Sequence, residues 1–245
     1  RMANLFQRLA ATSVWRSVFR SGTGDSALRR SLLIYNALLL HIHPVKVRRR
    51  TLAFRSTYYL GGISLLLFIL LVITGILLMF YYRPSVPEAY QDMKDLEFVV
   101  TSGMFIRNMH RWAAHGMVIV VFLHMLRVFF HGAYRPPRQF NWVIGVFLLI
   151  GTLLLSYTGY LLPWDQLAHW AVNVGTNMVG YAPVFGQKIQ FYLLGGHQIG
   201  ENALIRFYVL HCVVIPAMVI WLIAVHLWRV RKEGGLADPI KREES

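Results

Sequence analysis

The stretch Arg107-Asn108-Met109-His110-Arg111-Trp112, continuing to His124-Met125-Leu126-Arg127, decides the fold of this chain. It sets two histidines fourteen residues apart, with apolar residues between them and arginines at both ends. On an α-helix, fourteen steps of about 100° return His124 to within about 40° of His110, about 21 Å further along the axis. Both imidazoles then leave one face at two depths. A second stretch repeats the pattern, because His211 and His226 are fifteen residues apart; that is about 60° and about 22 Å by the same geometry. Two helices that each carry two histidines at matched separations have the means to hold two metals, one above the other.

The composition around these stretches calls for a membrane. Of the 245 residues, 56% are hydrophobic and 15% charged, and the mean hydropathy is +0.47, which does not suit a soluble protein. Long uncharged runs locate the spans: Thr57 to Tyr82 has 26 residues, Phe140 to Trp164 has 25 and Phe207 to Trp228 has 22. A hydrocarbon core needs roughly 20 apolar helical residues, so each suffices. Trp112 to Leu126 offers only 15, but extended across its arginines, from Phe105 to Phe130, it reaches spanning length.

The net charge of +14 is informative through its distribution. Eleven Lys/Arg precede Thr57, Arg135 and Arg138 lie in a short turn, and Arg229, Arg231, Lys232, Lys241 and Arg242 follow the last span. The segment from Arg83 to Met104 is acidic instead, through Glu88, Asp92, Asp95 and Glu97, and the connection from Asp165 to Ile205 has Lys188 as its one lysine. The positive-inside rule therefore places both termini on the negative (n) side of the membrane and the two basic-poor connections on the positive (p) side. Charge at membrane ends, with no basic recognition module, argues against nucleic acid. The one cysteine, Cys212, excludes a disulfide within the chain and a cysteine metal cage.

Three segments are expected: residues 1–54 as a basic n-side arm with an interfacial helix, 55–232 as the four-helix membrane domain, and 233–245 as a polar n-side tail. Leu28, Leu32, Tyr35 and Leu39 recur at helical spacing in a run too short to span, which suits a helix lying on the interface. The connection 165–203 has amphipathic potential around Leu167 to Val179, and Pro216 is expected to bend the last span.

In this topology spans two and four run parallel, so His110 lies level with His211 and His124 with His226. Two neutral imidazoles approaching from opposite sides form an axial set for haem iron that leaves no open position and favours electron transfer. Arg107 and Arg127, costly if unpaired near hydrocarbon, suit haem propionates. Gly61 and Gly75 are fourteen apart, and so are Gly145 and Gly159; missing side chains at those depths make room for a flat macrocycle. A lone histidine in a span is more often a satisfied polar residue than a ligand, and glycine often serves helix packing. Four histidines in matched register, with glycines in the same register, favour ligation. His115 and His131 are expected to be structural, as are His41, His43, His169 and His197 outside the spans. The expected fold is all-α: an integral membrane four-helix bundle enclosing two stacked haems, with an n-side interfacial N-terminal helix.

These residues resemble a known family, the N-terminal haem-binding part of cytochrome b from quinol:cytochrome c oxidoreductases, in the short split form of the plastid cytochrome b-six/f complex. The resemblance covers Tyr58 to Lys232. It rests on Leu60-Gly61-Gly62, Phe80-Tyr81-Tyr82-Arg83-Pro84, Ile106-Arg107 with His110-Arg111-Trp112, and His124 with Arg127-Val128. It continues through Gly159-Tyr160, Leu162-Pro163-Trp164-Asp165-Gln166, Arg206-Phe207-Tyr208, Leu210-His211 and His226. It implies that His110 and His211 ligate a p-side, low-potential haem b with Arg107 at its propionates, and that His124 and His226 ligate an n-side, high-potential one with Arg127. It further implies that Tyr157, Pro163, Trp164 and Asp165 belong to a p-side quinol pocket. Implied partners are a Rieske iron–sulfur protein, a small subunit carrying Pro-Glu-Trp-Tyr, a c-type cytochrome, quinone and membrane lipid, in a homodimeric complex of an energy-transducing membrane, the bacterial plasma membrane. Quinol oxidation would then drive electrons across the membrane in a Q cycle. Tyr59 stands where the plastid-type proteins carry a haem-attaching cysteine, so no covalent haem is expected.

Two other readings compete. One is a di-haem, quinone-reactive membrane anchor of another dehydrogenase or reductase. The other is a haem-free packing or transport subunit whose histidines are polar glue.

Overall fold

The computed structural model describes residues 12, 26–28 and 54–233. Most of the basic arm, the expected interfacial helix beyond Leu28 and the tail after Glu233 lie outside the described residues. After a single turn at Phe54–Thr57, the described chain forms α1 (Leu60–Met79), α2 (Val86–Phe98), α3 (Gly103–Phe130), α4 (Gln139–Leu161), α5 (Gln166–Gly180), α6 (Gly186–Leu194) and α7 (Glu201–Lys232). Among the described residues there is no strand. Four of these helices, α1, α3, α4 and α7, are long and apolar enough to cross a membrane, with mean hydropathies of 2.8, 1.9, 1.9 and 2.4. A helix satisfies its backbone polar groups internally, which hydrocarbon demands.

Local chemistry sets the ends of the helices. Helix α3 stops at Gly132, whose φ of 63° suits glycine. There the Ala133 N–H donates to the Val128 carbonyl and the Gly132 N–H to that of Phe129, a Schellman end. Asp165 caps α5, its Oδ1 accepting the Ala168 N–H at 2.8 Å. Helix α2 occupies part of the segment whose acidity reads as a polar loop. Ser85 and Glu88 are hydrogen-bonded to each other at its start and Pro87 lies in its first turn. Ala89, Asp92 and Leu96, at helical spacing, form its buried face. In α7 the turn Leu210–Val214 is a π turn closed by the Ile215 N–H on the Leu210 carbonyl. Pro216 follows at once and has no N–H to offer the Cys212 carbonyl. A π turn takes up one residue more than an α turn, so fifteen residues from His211 to His226 wind about as far as fourteen α-helical ones.

Contacts group the described residues into two compact units, residues 62–121 with 149–220, and residues 54–61 with 122–148 and 221–233. In the first, Leu161, Val172, Leu194, Ala203 and Phe207 form one buried cluster, and Tyr82, Ala89 and Leu204 another. Buried Tyr82 donates its hydroxyl to the Leu162 carbonyl at 2.7 Å. In the second unit fully buried Arg229 pairs with Glu233 at 2.5 Å and lies over the rings of Phe140 and Trp228.

Helix α2 is fastened to the chain leaving α1 by Asp92, which is 4% exposed. Its carboxylate accepts the Arg83 backbone N–H at 2.7 Å and the Arg83 Nη2 at 2.7 Å. Burial pushes this carboxyl upward, but the side-chain and backbone hydrogen bonds from Arg83, with its charge, prevail and hold it below the usual carboxylate range. A depressed folded-state value means that the stabilisation is present above the unfolded value and is lost as pH falls through the folded one. Asp92→Asn is therefore expected to lower the melting temperature by a few degrees at neutral pH, with the gap to wild type closing as pH falls below the ordinary carboxylate range. A gap that stays constant with pH would show that the ionised carboxylate contributes nothing.

Candidate functional site

In the unit 62–121 with 149–220, α3 and α7 bring His110 and His211 together, with ring centroids 6.3 Å apart and planes at 73°. His110 Nδ1 is 2.8 Å from Thr74 Oγ1, and His211 Nδ1 is 3.1 Å from Thr158 Oγ1. Each hydroxyl already donates its proton within its own helix, Thr74 to the Leu70 carbonyl at 2.7 Å and Thr158 to that of Leu154 at 2.8 Å. The threonine oxygens are therefore acceptors, Nδ1 carries the proton, and Nε2 is left as the free lone pair. A Cβ on Gly75 would lie 3.3 Å from His110 Cε1, and one on Gly159 only 2.6 Å from His211 Cε1.

The other unit repeats the arrangement with different surroundings. His124 and His226 have centroids 6.5 Å apart and planes at 80°. A Cβ on Gly61 would lie 3.3 Å from His124 Cε1, and one on Gly145 would lie 3.8 Å from His226 Cε1. Nδ1 of His226 is buried with no hydrogen-bond partner, the Asn141 backbone being the group it faces. At each of the four glycines that sequence reasoning assigned to macrocycle packing, an imidazole lies within 3.8 Å of where a Cβ would stand.

These pairs fit axial ligation of one metal each. A metal–imidazole bond is about 2.0–2.1 Å and each nitrogen lies about 1.1 Å from its ring centre, so two rings on opposite sides of one metal have centres about 6.3 Å apart. The observed separations are 6.3 and 6.5 Å. Among the described residues no three His, Cys, Asp or Glu side chains converge. A metal held at either pair would find two protein nitrogens, and its remaining donors would have to come from a bound group.

The arginines are placed less simply. Arg107 Nη1 pairs with Glu97 at 3.0 Å, both partly exposed, an ion pair worth about 0–1 kcal/mol. Arg127 donates to the Ser56 carbonyl. Of the quinol-pocket candidates, Trp164 and Asp165 line a shallow cleft with Tyr90, Gln166 and Leu167. Pro163 immediately precedes them in the turn. Tyr157 stands elsewhere, donating to the Ala171 carbonyl at 2.9 Å and packing edge-on to Phe207. His115 and His131 bond the carbonyls one turn back, of Arg111 and Arg127. His169 lies against Trp164 and Trp170, and His197 against Phe191. Tyr59 is half exposed and packs on Phe54.

Sequence reasoning missed Thr74 and Thr158. A signal existed: Thr-Gly occurs at 74–75 and 158–159, whereas Gly61 and Gly145 follow Leu60 and Ile144. It also missed the π turn that holds His211, although Pro216 announces it.

The family model for cytochrome b/b6/petB matches residues 48–234. Cytochrome b6 of Heliobacterium modesticaldum is 42% identical over 183 residues, 75% of this chain and 85% of that protein. Cytochrome b6 of Heliomicrobium gestii is 40% identical over 198 residues, 81% and 91% of the two chains. That of Porphyra purpurea is 41% identical over 177 residues, 72% and 82%. Among solved structures, a chain of a hyperthermophilic respiratory Complex III superposes with a TM-score of 0.71 at 25% identity, over 90% of this chain and 57% of that one.

Proposed function

Because the chain belongs to the cytochrome b/b6/petB family, we propose that it is the di-haem cytochrome b subunit of a Rieske/cytochrome b-type quinol oxidoreductase. His110 and His211 hold one haem b, and His124 and His226 hold the other. When bound, the two haems supply a one-electron relay between quinol oxidised on the p side and quinone reduced on the n side, the core of a Q cycle. The chain's own residues do the rest. The four glycines leave room for the imidazoles, and Thr74 and Thr158 hold two of the rings in the ligating tautomer. Arg107 and Arg127 take the propionates, Arg107 by exchanging its exposed partner Glu97.

Trp164 and Asp165, on their cleft with Tyr90, contribute part of the quinol pocket, with Pro163 shaping the turn. Tyr157 positions α5 behind it through the Ala171 carbonyl. A separate small subunit carrying Pro-Glu-Trp-Tyr completes the pocket, and a Rieske protein and a c-type cytochrome receive the other electron. The basic residues before Thr57 and after Trp228 put both termini on the n side, in a bacterial plasma membrane. With Tyr59 at the position where the plastid-type proteins carry a cysteine for an extra n-side haem, no covalent haem is expected.

The observation that carries this function is the pair of imidazole–imidazole separations, 6.3 and 6.5 Å. The test is a pyridine-haemochrome and redox-difference spectrum of the gently solubilised complex, with its subunits identified from the same sample. Two haem b per chain beside a Rieske protein is the expected result. Two haems beside a different dehydrogenase would make the chain a membrane anchor, and no haem would overturn the proposal.

A further inference from the structure

The two histidine pairs have different hydrogen-bond surroundings, and the difference follows the residue that precedes each glycine. Gly75 and Gly159 follow Thr74 and Thr158, whose oxygens sit on the Nδ1 atoms of His110 and His211 at 2.8 and 3.1 Å. Gly61 and Gly145 follow Leu60 and Ile144, which carry no hydroxyl. Backbone groups face rings of both pairs. Leu71, Leu155 and Asn141, each four residues before its glycine, present their backbone to His110, His211 and His226 in turn. The hydroxyls are thus the part special to one pair.

Their strength as acceptors is raised by their own bonds. Each threonine donates to a carbonyl of its helix at 2.7 or 2.8 Å, and a hydroxyl that donates is polarised into a better acceptor. An acceptor on Nδ1–H increases the basicity of Nε2 as a ligand. A more basic axial ligand favours the oxidised, more positive iron and lowers its reduction potential. Two such acceptors act on one centre.

We infer that Thr74 and Thr158 are positioning residues that set the haem held by His110 and His211 at a lower potential than the haem held by His124 and His226. This rests on the di-haem assignment. The residues touch neither quinol nor iron and act through the two imidazoles. Threonine to valine removes the oxygen and keeps the shape, threonine to serine keeps the oxygen, and Ile144→Thr offers a hydroxyl to the pair that lacks one.

The experiment is a spectroelectrochemical titration of the purified complex carrying Thr74→Val with Thr158→Val, beside wild type, the serine double variant and Ile144→Thr. The component missing from the His211→Ala spectrum identifies which haem is which. The valine double variant is expected to shift the oxidised-to-reduced equilibrium of the His110/His211 haem at least tenfold toward reduction, 59 mV for a one-electron couple. The other haem stays in place, and the serine variant returns the shifted midpoint toward wild type. Ile144→Thr is expected to lower the His124/His226 midpoint. Two haems with unshifted midpoints, or with midpoints that move together, overturn the inference and leave the di-haem assignment standing. Absence of haem from the wild-type complex, visible before any titration, overturns both.

Discussion

His211→Ala is expected to leave one haem b per chain of the two proposed for the wild type. Each site offers a metal two protein nitrogens, and among the described residues no third His, Cys, Asp or Glu stands by to replace a lost one. Thr158, the partner of the missing ring, is bonded within its own helix and is no substitute ligand. His124 and His226 belong to the other compact unit and keep their own glycines, so that haem is retained. The measurement is haem per chain by pyridine haemochrome on the purified complex, with His115→Ala as the control. His115 bonds the Arg111 carbonyl on its own helix, and its loss should leave both haems. Retention of both haems in His211→Ala would sink the ligand assignment.

Gly159→Ala is expected to disturb the same site almost as severely, whereas the identical change at Gly145 is tolerated. The added methyl at 159 would come within 2.6 Å of His211 Cε1 and 3.1 Å of both ring nitrogens. The ring has little freedom to retreat, because Thr158, the preceding residue, holds its Nδ1. Overpacking typically costs about 1–3 kcal/mol, and here the displaced group is the proposed metal ligand itself. At Gly145 the methyl would meet His226 Cε1 at 3.8 Å and Met125 Sδ at 3.5 Å, ordinary contact distances. Haem stoichiometry and the redox-difference spectrum separate the outcomes: most of one haem lost from Gly159→Ala, both kept in Gly145→Ala. Equal behaviour of the two variants would mean that close approach to the imidazole is not what reserves position 159 for glycine.

The four histidines were legible because a helix converts spacing into direction. Steps of fourteen and fifteen residues along runs of spanning hydropathy imply shared faces without any knowledge of packing. The glycines were legible by the same arithmetic, yet their neighbours were not. The step from Gly61 to Gly75 matches that from His110 to His124, but only packing reveals that Gly75 lies against His110 and Gly61 against His124. Helix α2 was hidden by its acidity. Its amphipathic face shows only when Ala89, Asp92 and Leu96 are read as buried, and Asp92 is buried because Arg83, nine residues earlier, folds onto it. Asp165 combines two roles that composition does not separate, a cleft-lining residue and the cap of α5.

By itself the sequence determined that the chain is helical, crosses the membrane four times and carries two pairs of histidines in register. Hydropathy and helical periodicity are local properties, written in consecutive residues. Only the tertiary structure decided the chemistry around those histidines. A threonine in an apolar helix satisfies itself on the carbonyl one turn back, as Thr74 and Thr158 do, so alone each reads as inert. A hydroxyl oxygen keeps its remaining lone pairs for whatever the neighbouring helix brings, and what α3 and α7 bring is the proton on a histidine Nδ1.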